Sequence, residues 1–227
     1  MTGVIFDFNG TMFFDEEFQE ISWRQFIKDT IGRRITDEEF QEHVHGRNAD
    51  YTFPLFLGRP LTRQEIMELE EGKERIYREL CLQSEKFRLA PGLERFLDYL
   101  ADNDIPRTIA TASGWNNVRF FFQHLGLGKW FDLGKVVYND GTIPGKPAPD
   151  LFLVSAERIK VPAKECIVFE DSLSGIEAAR NAGVRAVVRV DSMRQTNAGT
   201  LADEVISDFW NAQEIMNKFF STCPAGT

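Results

Sequence analysis

"VIFDFNGT", residues 4–11, begins as an apolar run that carries one carboxylate, Asp7, and then turns at Asn9-Gly10. A short apolar run of this kind is typical of a strand buried on both faces. The glycine that follows allows a tight turn, which can present backbone N–H groups to a ligand. Because open α/β sheets bind ligands at the carboxyl ends of their strands, the stretch predicts a strand that delivers Asp7 to a ligand site.

Similar apolar runs recur along the chain, and helical patterns separate most of them. The predicted strands cover residues 4–8, 108–111, 135–138, 166–169 and 184–190. Apolar residues with a helical period occupy 92–100, 116–125, 149–159 and 173–182. Strands that alternate with helices predict a parallel sheet with helices on both faces. We therefore predict the α/β class, with a Rossmann-like core.

One long region breaks this alternation. Residues 15–88 contain helical patterns and no convincing strand, and the turn-prone "LAPG" follows them. We predict an all-helical insert at 15–88, within a core made of residues 1–14 and 89–227. An insert after the first strand projects from the carboxyl edge of the sheet, so we expect it to act as a cap over the site.

Composition and charge limit the classes of partner. With 227 residues, 43% of them hydrophobic, the chain can bury one substantial core and a smaller appendage. Its 26 basic and 35 acidic side chains give a net charge of −9, which argues against nucleic acid and against an anionic membrane surface. No apolar run approaches the roughly 20 residues that span a bilayer. We expect no membrane association, and a monomer or weak dimer.

Cysteine usage bears on the compartment. Cys81, Cys166 and Cys223 are far apart and match no metal or redox spacing, which fits a reducing environment. The N-terminus also lacks the pattern of a secretion signal, because Asp7 interrupts it. We therefore expect a cytoplasmic protein.

Polar side chains also follow the other predicted strands. "TIATASG" supplies Thr111 and Ser113, whose hydroxyls could hold a phosphate at a helix N-terminus. "CIVFEDSLSG" ends in Glu170 and Asp171, and such a pair of charges is costly to bury without a cation. Lys146 lies on the loop "GTIPGKPAPD". Each has a structural alternative, as an N-cap, a helix-capping pair or a solvated charge, but their joint occurrence favours a ligand site.

Four segments, "FDFNGT", "TAS", "GKPAPD" and "FEDSLSGIEAARNAG", resemble motifs of the haloacid dehalogenase-like hydrolase superfamily. The branch they resemble has a helical cap after the first strand, and the resemblance covers nearly the whole chain. It implies a magnesium-dependent phosphatase that acts on a small phosphorylated metabolite, such as a sugar phosphate, through an aspartyl-phosphate. A relative that binds a phosphometabolite with little or no turnover is the alternative.

The resemblance also implies roles for individual residues. Asp7 is the nucleophile, and the ammonium of Lys146 neutralises it. Phosphate is bound by Thr111, Ala112 and Lys146. Mg²⁺ is held by Asp7, Glu170, Asp171 and the backbone carbonyl of Asn9. These roles make physical sense, because a dianionic phosphate and a carboxylate repel each other until positive charge offsets the repulsion.

Asn9 departs from the family pattern. Phosphatases and mutases of the family usually have a second aspartate here, which acts as general acid on the leaving oxygen and then as base on water. An amide cannot exchange a proton in this way, and positioned acid-base catalysis typically contributes about 10² to 10⁴ in rate. The loss corresponds to about 3 to 5 kcal/mol of barrier. Magnesium binding through the backbone carbonyl is unaffected.

Three explanations for Asn9 stay open. The chain can be a natural phosphatase whose substrate has a good leaving group or whose proton comes from elsewhere. It can be a weak or inactive relative that binds a phosphorylated ligand. Finally, Asn9 can be an engineered substitution, or it can deamidate to aspartate because Gly10 leaves the amide open to backbone attack.

The predicted cap should select the substrate. Its candidate residues are Gln19, Arg47 and Asn48. Relatives often place a substrate-facing Gly-Arg pair where this chain has Gly46-Arg47, although a surface salt bridge is the structural alternative for Arg47. A phosphoglucomutase-like phosphotransferase is disfavoured, because Gln19 stands where that mutase has a histidine.

Overall fold

The computed structural model describes residues 2–44, 47, 49–192 and 201–220. The chain divides into two compact units, Met1–Phe14 with Arg88–Thr227, and Asp15–Phe87. We call them the core unit and the helical unit. Among the described residues, no helix is long and apolar enough to cross a membrane.

The described part of the core unit is built on a five-stranded parallel sheet, so the predicted fold class is confirmed. Its strands are β1 (Gly3–Phe6), β2 (Arg107–Ile109), β3 (Cys166–Glu170), β4 (Ala186–Val190) and β5 (Glu204–Ile206). Their order is β2-β1-β3-β4-β5. β1 and β3 are therefore neighbours, with Phe6 paired to Phe169, and their carboxyl ends lie side by side.

Helices cover both faces of this sheet. Those of the core unit are α5 (Leu93–Asp102), α6 (Trp115–His124), α7 (Asp150–Arg158), α8 (Leu173–Asn181) and α9 (Ala212–Phe220). Ile5 and Val168 pack in one apolar cluster with residues of α7 and α8. On the other face, the rings of Phe6 and Phe169 stack at 5.2 Å, and both contact Phe96 of α5. This alternation follows from the two-residue period of a strand.

Two strands differ from the sequence pattern. The prediction of a strand at 135–138 is wrong, because the Asp132 side chain accepts a hydrogen bond from the Gly134 N–H and a short 3₁₀ turn forms at Leu133–Lys135. Val137 is left with a single bridge to Ala110. β5 escapes prediction because it has only three residues and Val205 at its centre is 52% exposed, which breaks the continuous apolar pattern of a buried strand.

The helical unit contains α1 (Glu16–Ile31), α2 (Asp37–His43), α3 (Ala49–Leu57) and α4 (Arg63–Leu82). α2 and α4 each begin with a capping box, in which an N-cap threonine and a glutamate three residues later satisfy each other's backbone N–H groups. The helical patterns of the sequence, at 16–31, 36–44 and 61–83, predict α1, α2 and α4. They do not predict α3, since Pro54 interrupts it.

Candidate active site

Asp7 lies directly after β1 and is 5% exposed. Its backbone N–H donates a 2.9 Å hydrogen bond to the Phe169 carbonyl of β3, which extends the pairing of the two strands by one residue. Lys146 Nζ donates to Asp7 Oδ1 at 2.6 Å and to Glu170 Oε2 at 2.8 Å. One ammonium therefore bridges carboxylates from two neighbouring strands.

The charge state of Lys146 follows from this bridge. Burial alone would lower its pKa, because burial disfavours the ammonium. The carboxylates of Asp7 and Glu170 outweigh burial and raise the pKa of Lys146 above its ordinary value. Lys146 is therefore protonated throughout the physiological pH range.

Glu170 is fully buried and held by hydrogen bonds at both oxygens. Oε1 accepts from the backbone N–H of Ser172 at 3.1 Å and from its hydroxyl at 2.6 Å, while Oε2 accepts from Lys146. Ser172 is also the N-cap of α8, where its Oγ accepts from the Gly175 N–H at 3.1 Å. A Cβ at Gly175 would overlap the Glu170 carboxylate, so only glycine leaves room for it.

Asp171 completes a group of three acids. One carboxylate oxygen from each of Asp7, Glu170 and Asp171 lies within 4.8 Å of the other two. The Thr11 hydroxyl donates to Asp171 Oδ1 at 3.3 Å. Gly10 has a φ of +75°, and a Cβ there would overlap the Asp171 carboxylate. The turn after β1 is thus shaped around the acid that follows β3.

The donor chemistry of this group fits a divalent cation. Three carboxylates beside one ammonium leave an excess of negative charge at a mostly buried position, which is unfavourable without compensation. Mg²⁺ commonly takes oxygen ligands from one or two carboxylates and keeps several waters. Asp7, Glu170 and Asp171 are the candidate ligands, and both oxygens of Glu170 also accept hydrogen bonds from protein groups. A site for a divalent cation is supported, while Mg²⁺ itself stays a prediction.

Asn9 lies on the turn after β1, and its Oδ1 accepts a 2.8 Å hydrogen bond from the Ser113 hydroxyl. Thr111, two residues after β2, is 1% exposed, and its Oγ1 accepts a hydrogen bond from the Ser113 N–H at 3.1 Å. Ala112, between them, is exposed. The loops after β1 and β2 therefore meet through Ser113. The phosphate-binding roles of Thr111 and Ala112 stay predictions.

Gln19 belongs to a buried polar group of the helical unit. Its Oε1 accepts from Lys73 Nζ at 2.5 Å, and its Nε2 donates to Asp15 Oδ2 at 3.0 Å. The same Asp15 oxygen accepts from the Tyr77 hydroxyl at 2.7 Å. Burial, followed by the Asp15 charge, raises the pKa of Tyr77. The motifs give no signal for Lys73, although it is only 2% exposed.

The structure shows less about the other two residues that are predicted to select the substrate. Arg47 Nε donates to the Glu42 carbonyl at 3.3 Å, and its guanidinium lies 5.3 Å from the centre of the Tyr51 ring. Asn48 lies outside the described residues. A role in substrate selection stays a prediction for Gln19, Arg47 and Asn48.

The residues that support the site are harder to recognise from sequence than the acids themselves. Thr11, Ser172 and Gly175 act by holding or accommodating a carboxylate, and such roles are not evident from residue type. The segment "DSLSG" does contain one signal, because a serine directly before a predicted helix is a preferred N-cap residue.

The site thus joins a buried carboxylate directly after β1, through Lys146, to Glu170 at the end of β3, with Asp171 next in the chain. The chain belongs to the haloacid dehalogenase-like hydrolase family, whose model matches residues 1–183. The predicted family, with its inserted helical unit, is thereby confirmed. So is the predicted enzyme class, a phosphoric monoester hydrolase.

Known proteins with similar sequences and structures cover most of the chain. A "probable pseudouridine-5'-phosphatase" of Drosophila melanogaster is 32% identical over 92% of this chain and 91% of its own. A "phosphorylated carbohydrates phosphatase" of Thermotoga maritima is 28% identical over 84% and 85%. The crystal structure of a "HAD hydrolase, family IA, variant 3" from Entamoeba histolytica matches with a TM-score of 0.90 and 32% identity, over 97% of this chain and all of that one.

Proposed function

We propose that this protein is a Mg²⁺-dependent phosphatase of a small phosphorylated metabolite, of the sugar phosphate type, which works through an aspartyl-phosphate on Asp7. The observation that carries the proposal is the bridge of Lys146 between Asp7 and Glu170, beside Asp171. This arrangement places a carboxylate, an ammonium and a candidate cation site at one point.

The residues divide the chemistry among them. A carboxylate oxygen of Asp7 attacks phosphorus, and Lys146 offsets the repulsion between this carboxylate and the phosphate. Glu170 positions Lys146. Asp7, Asp171 and the Asn9 carbonyl would hold Mg²⁺, which supplies positive charge to the phosphoryl oxygens. The Thr111 hydroxyl oxygen accepts a hydrogen bond from the Ser113 N–H, so the O–H of Thr111 can donate a hydrogen bond to a phosphate oxygen.

The named substrates of the relatives support the substrate class. One relative carries the name of a pseudouridine phosphate and the other that of phosphorylated carbohydrates, and both compounds join a phosphate to a sugar. A free metabolite as partner, a cytoplasmic location and a monomeric or weakly dimeric state are parts of this proposal. Selection by Gln19, Arg47 and Asn48 is also part of it.

Binding without turnover is the second candidate, and Asn9 is the observation that favours it. An amide at this position supplies neither a proton for the leaving group nor a base for water. Turnover by the unmodified chain would decide between the two candidates.

Phosphate release from a panel of aryl, acyl, sugar and nucleotide phosphates tests the proposal. We expect release that requires Mg²⁺ and stops with chelator, and an Asp7→Asn variant that falls to background. Asp102→Asn, which makes the same change at an exposed position of α5, is the matched control and should keep the activity. Release that continues in Asp7→Asn would contradict the aspartyl-phosphate route.

A further inference from the structure

The polar side chains that follow β1, β2 and β3 form two hydrogen-bonded groups in the described core unit. Lys146 joins Asp7 to Glu170, and Asp171 lies beside them. Asn9, Ser113 and Thr111 form the second group, through the hydrogen bonds of Ser113. A proton for a leaving group must come from one of these two groups, from water or from the helical unit.

Few of these groups can deliver a proton. Glu170 is an acceptor at both oxygens, and Lys146 directs its ammonium to two carboxylates. Asp171 belongs to the candidate cation site. The hydroxyls of serine and threonine donate hydrogen bonds but are far too weakly acidic to protonate a departing group.

Asn9 lies two residues after Asp7 on the turn that follows β1, and its amide has a defined orientation. Because the Ser113 hydroxyl donates to Oδ1 at 2.8 Å, the NH₂ end is directed away from Ser113. An amide NH₂ group donates hydrogen bonds but cannot transfer its proton, so it can stabilise an anion without neutralising it.

The histidine of the described core unit does not fill this gap. His124 ends α6, and its ring contacts Phe120 at 4.8 Å. Ser113 lies just before the start of the same helix. Ten helical residues separate the two ends by about 14 Å along the axis, well beyond the reach of a direct proton transfer.

From this arrangement we propose that the enzyme prefers phosphoryl donors whose leaving group departs as an anion without taking up a proton. The carboxylate of an acyl phosphate, a phenolate and, to a lesser degree, the anomeric oxygen of a sugar 1-phosphate meet this condition. A primary alkoxide does not. The inference rests on the proposed function and narrows it: among sugar phosphates it favours 1-phosphates over esters of primary alcohols, such as the 5'-phosphate in the name of one relative.

The transfer step balances without a general acid. An Asp7 oxygen forms a bond to phosphorus, the bond from phosphorus to the leaving oxygen breaks, and its electron pair stays on that oxygen. Water then attacks phosphorus, the bond to Asp7 breaks, and its electron pair returns to the carboxylate. Both protons of that water leave with the product, as dihydrogen phosphate.

A series of substrates whose leaving groups differ in acidity tests the inference. The rate constant kcat/KM would be measured for acetyl phosphate, p-nitrophenyl phosphate, glucose 1-phosphate, glucose 6-phosphate and glycerol phosphate, with the unmodified chain and with Asn9→Asp. Asn103→Asp, the same change at an exposed position, is the control. Mass spectrometry of the peptide that contains Asn9 checks that its amide is intact.

We expect the preference of the unmodified chain for p-nitrophenyl over glycerol phosphate to exceed that of Asn9→Asp by about 10² to 10⁴. Asn103→Asp should behave as the unmodified chain. An equal preference in the unmodified chain and Asn9→Asp, with alkyl phosphates turned over, overturns the inference and leaves the proposed function standing. No phosphate release from any of the five compounds, by any of the three chains, overturns the proposed function itself.

Discussion

A single glycine decides where the Glu170 carboxylate can lie. Gly175 faces that carboxylate from the first turn of α8, and a Cβ at this position would overlap it. Glu170 in turn accepts from Lys146, whose ammonium also contacts Asp7. Because Gly175 has no side chain, Glu170 can accept a hydrogen bond from Lys146, and Lys146 in turn contacts the candidate nucleophile.

Gly175→Ala should lower phosphate release by about 10²-fold, because a displacement of about 1 Å in a reacting group has this effect. The measurement is kcat on p-nitrophenyl phosphate, with circular dichroism to show that the variant is folded. Gly128→Ala is the matched control, since a Cβ there has no atom within 4 Å. An active, folded Gly175→Ala variant would show that Glu170 does not need its observed position.

Helix α2 illustrates how an element is stabilised from its ends. Thr36 caps it, and Glu39 Oε2 accepts a hydrogen bond from the Thr36 N–H at 2.9 Å. Glu39 also forms two hydrogen bonds with Arg33, at 2.8 and 2.9 Å. Arg33 first, and then the Thr36 N–H, lower the pKa of Glu39 from 4.5 to about 2. The ionised carboxylate therefore contributes to the stability of the folded helical unit.

Glu39→Gln should lower stability near neutral pH, and the difference from the unmodified chain should shrink as the medium becomes acidic. The sign follows from the lowered pKa: the contribution is fully present above pH 4.5, and it is lost as pH falls toward 2. Urea unfolding followed by far-UV circular dichroism measures it. Glu85→Gln, at an exposed position of the same unit, should show no such trend.

At the scale of the whole molecule, a chain with a net charge of −9 brings three acids together at the ends of β1 and β3. Lys146 supplies one positive charge there. A ligand that binds the folded state and not the unfolded chain stabilises the former by mass action. Binding of a divalent cation should therefore raise the free energy of unfolding.

Mg²⁺ at about one hundred times its Kd should raise the free energy of unfolding by about 2.7 kcal/mol. For a chain of this size the midpoint of thermal unfolding should rise by about 5 to 10 °C. Asp171→Asn should remove most of this shift, whereas the surface variant Asp102→Asn should keep it. Equal shifts in both variants would show that the cation binds elsewhere.

The sequence by itself determined the alternation of strands and helices, the helical insert and the position of Asp7 at a strand end. These features depend on local apolar periodicity and on motifs of a few residues, so they can be recognised without knowledge of the fold. The same local rules failed at 135–138, where the Asp132 side chain starts a turn, and at the exposed strand β5.

Only the tertiary structure decided which strand ends are neighbours. Lys146 contacts Asp7 across 139 positions of the chain, and Thr11 contacts Asp171 across 160. The hydrogen bond from Ser113 to Asn9 and the space at Gly175 have the same origin. Strand order and close packing depend on contacts between segments that are distant in the chain. The periodicity and residue types of one segment do not specify which other segment it will contact.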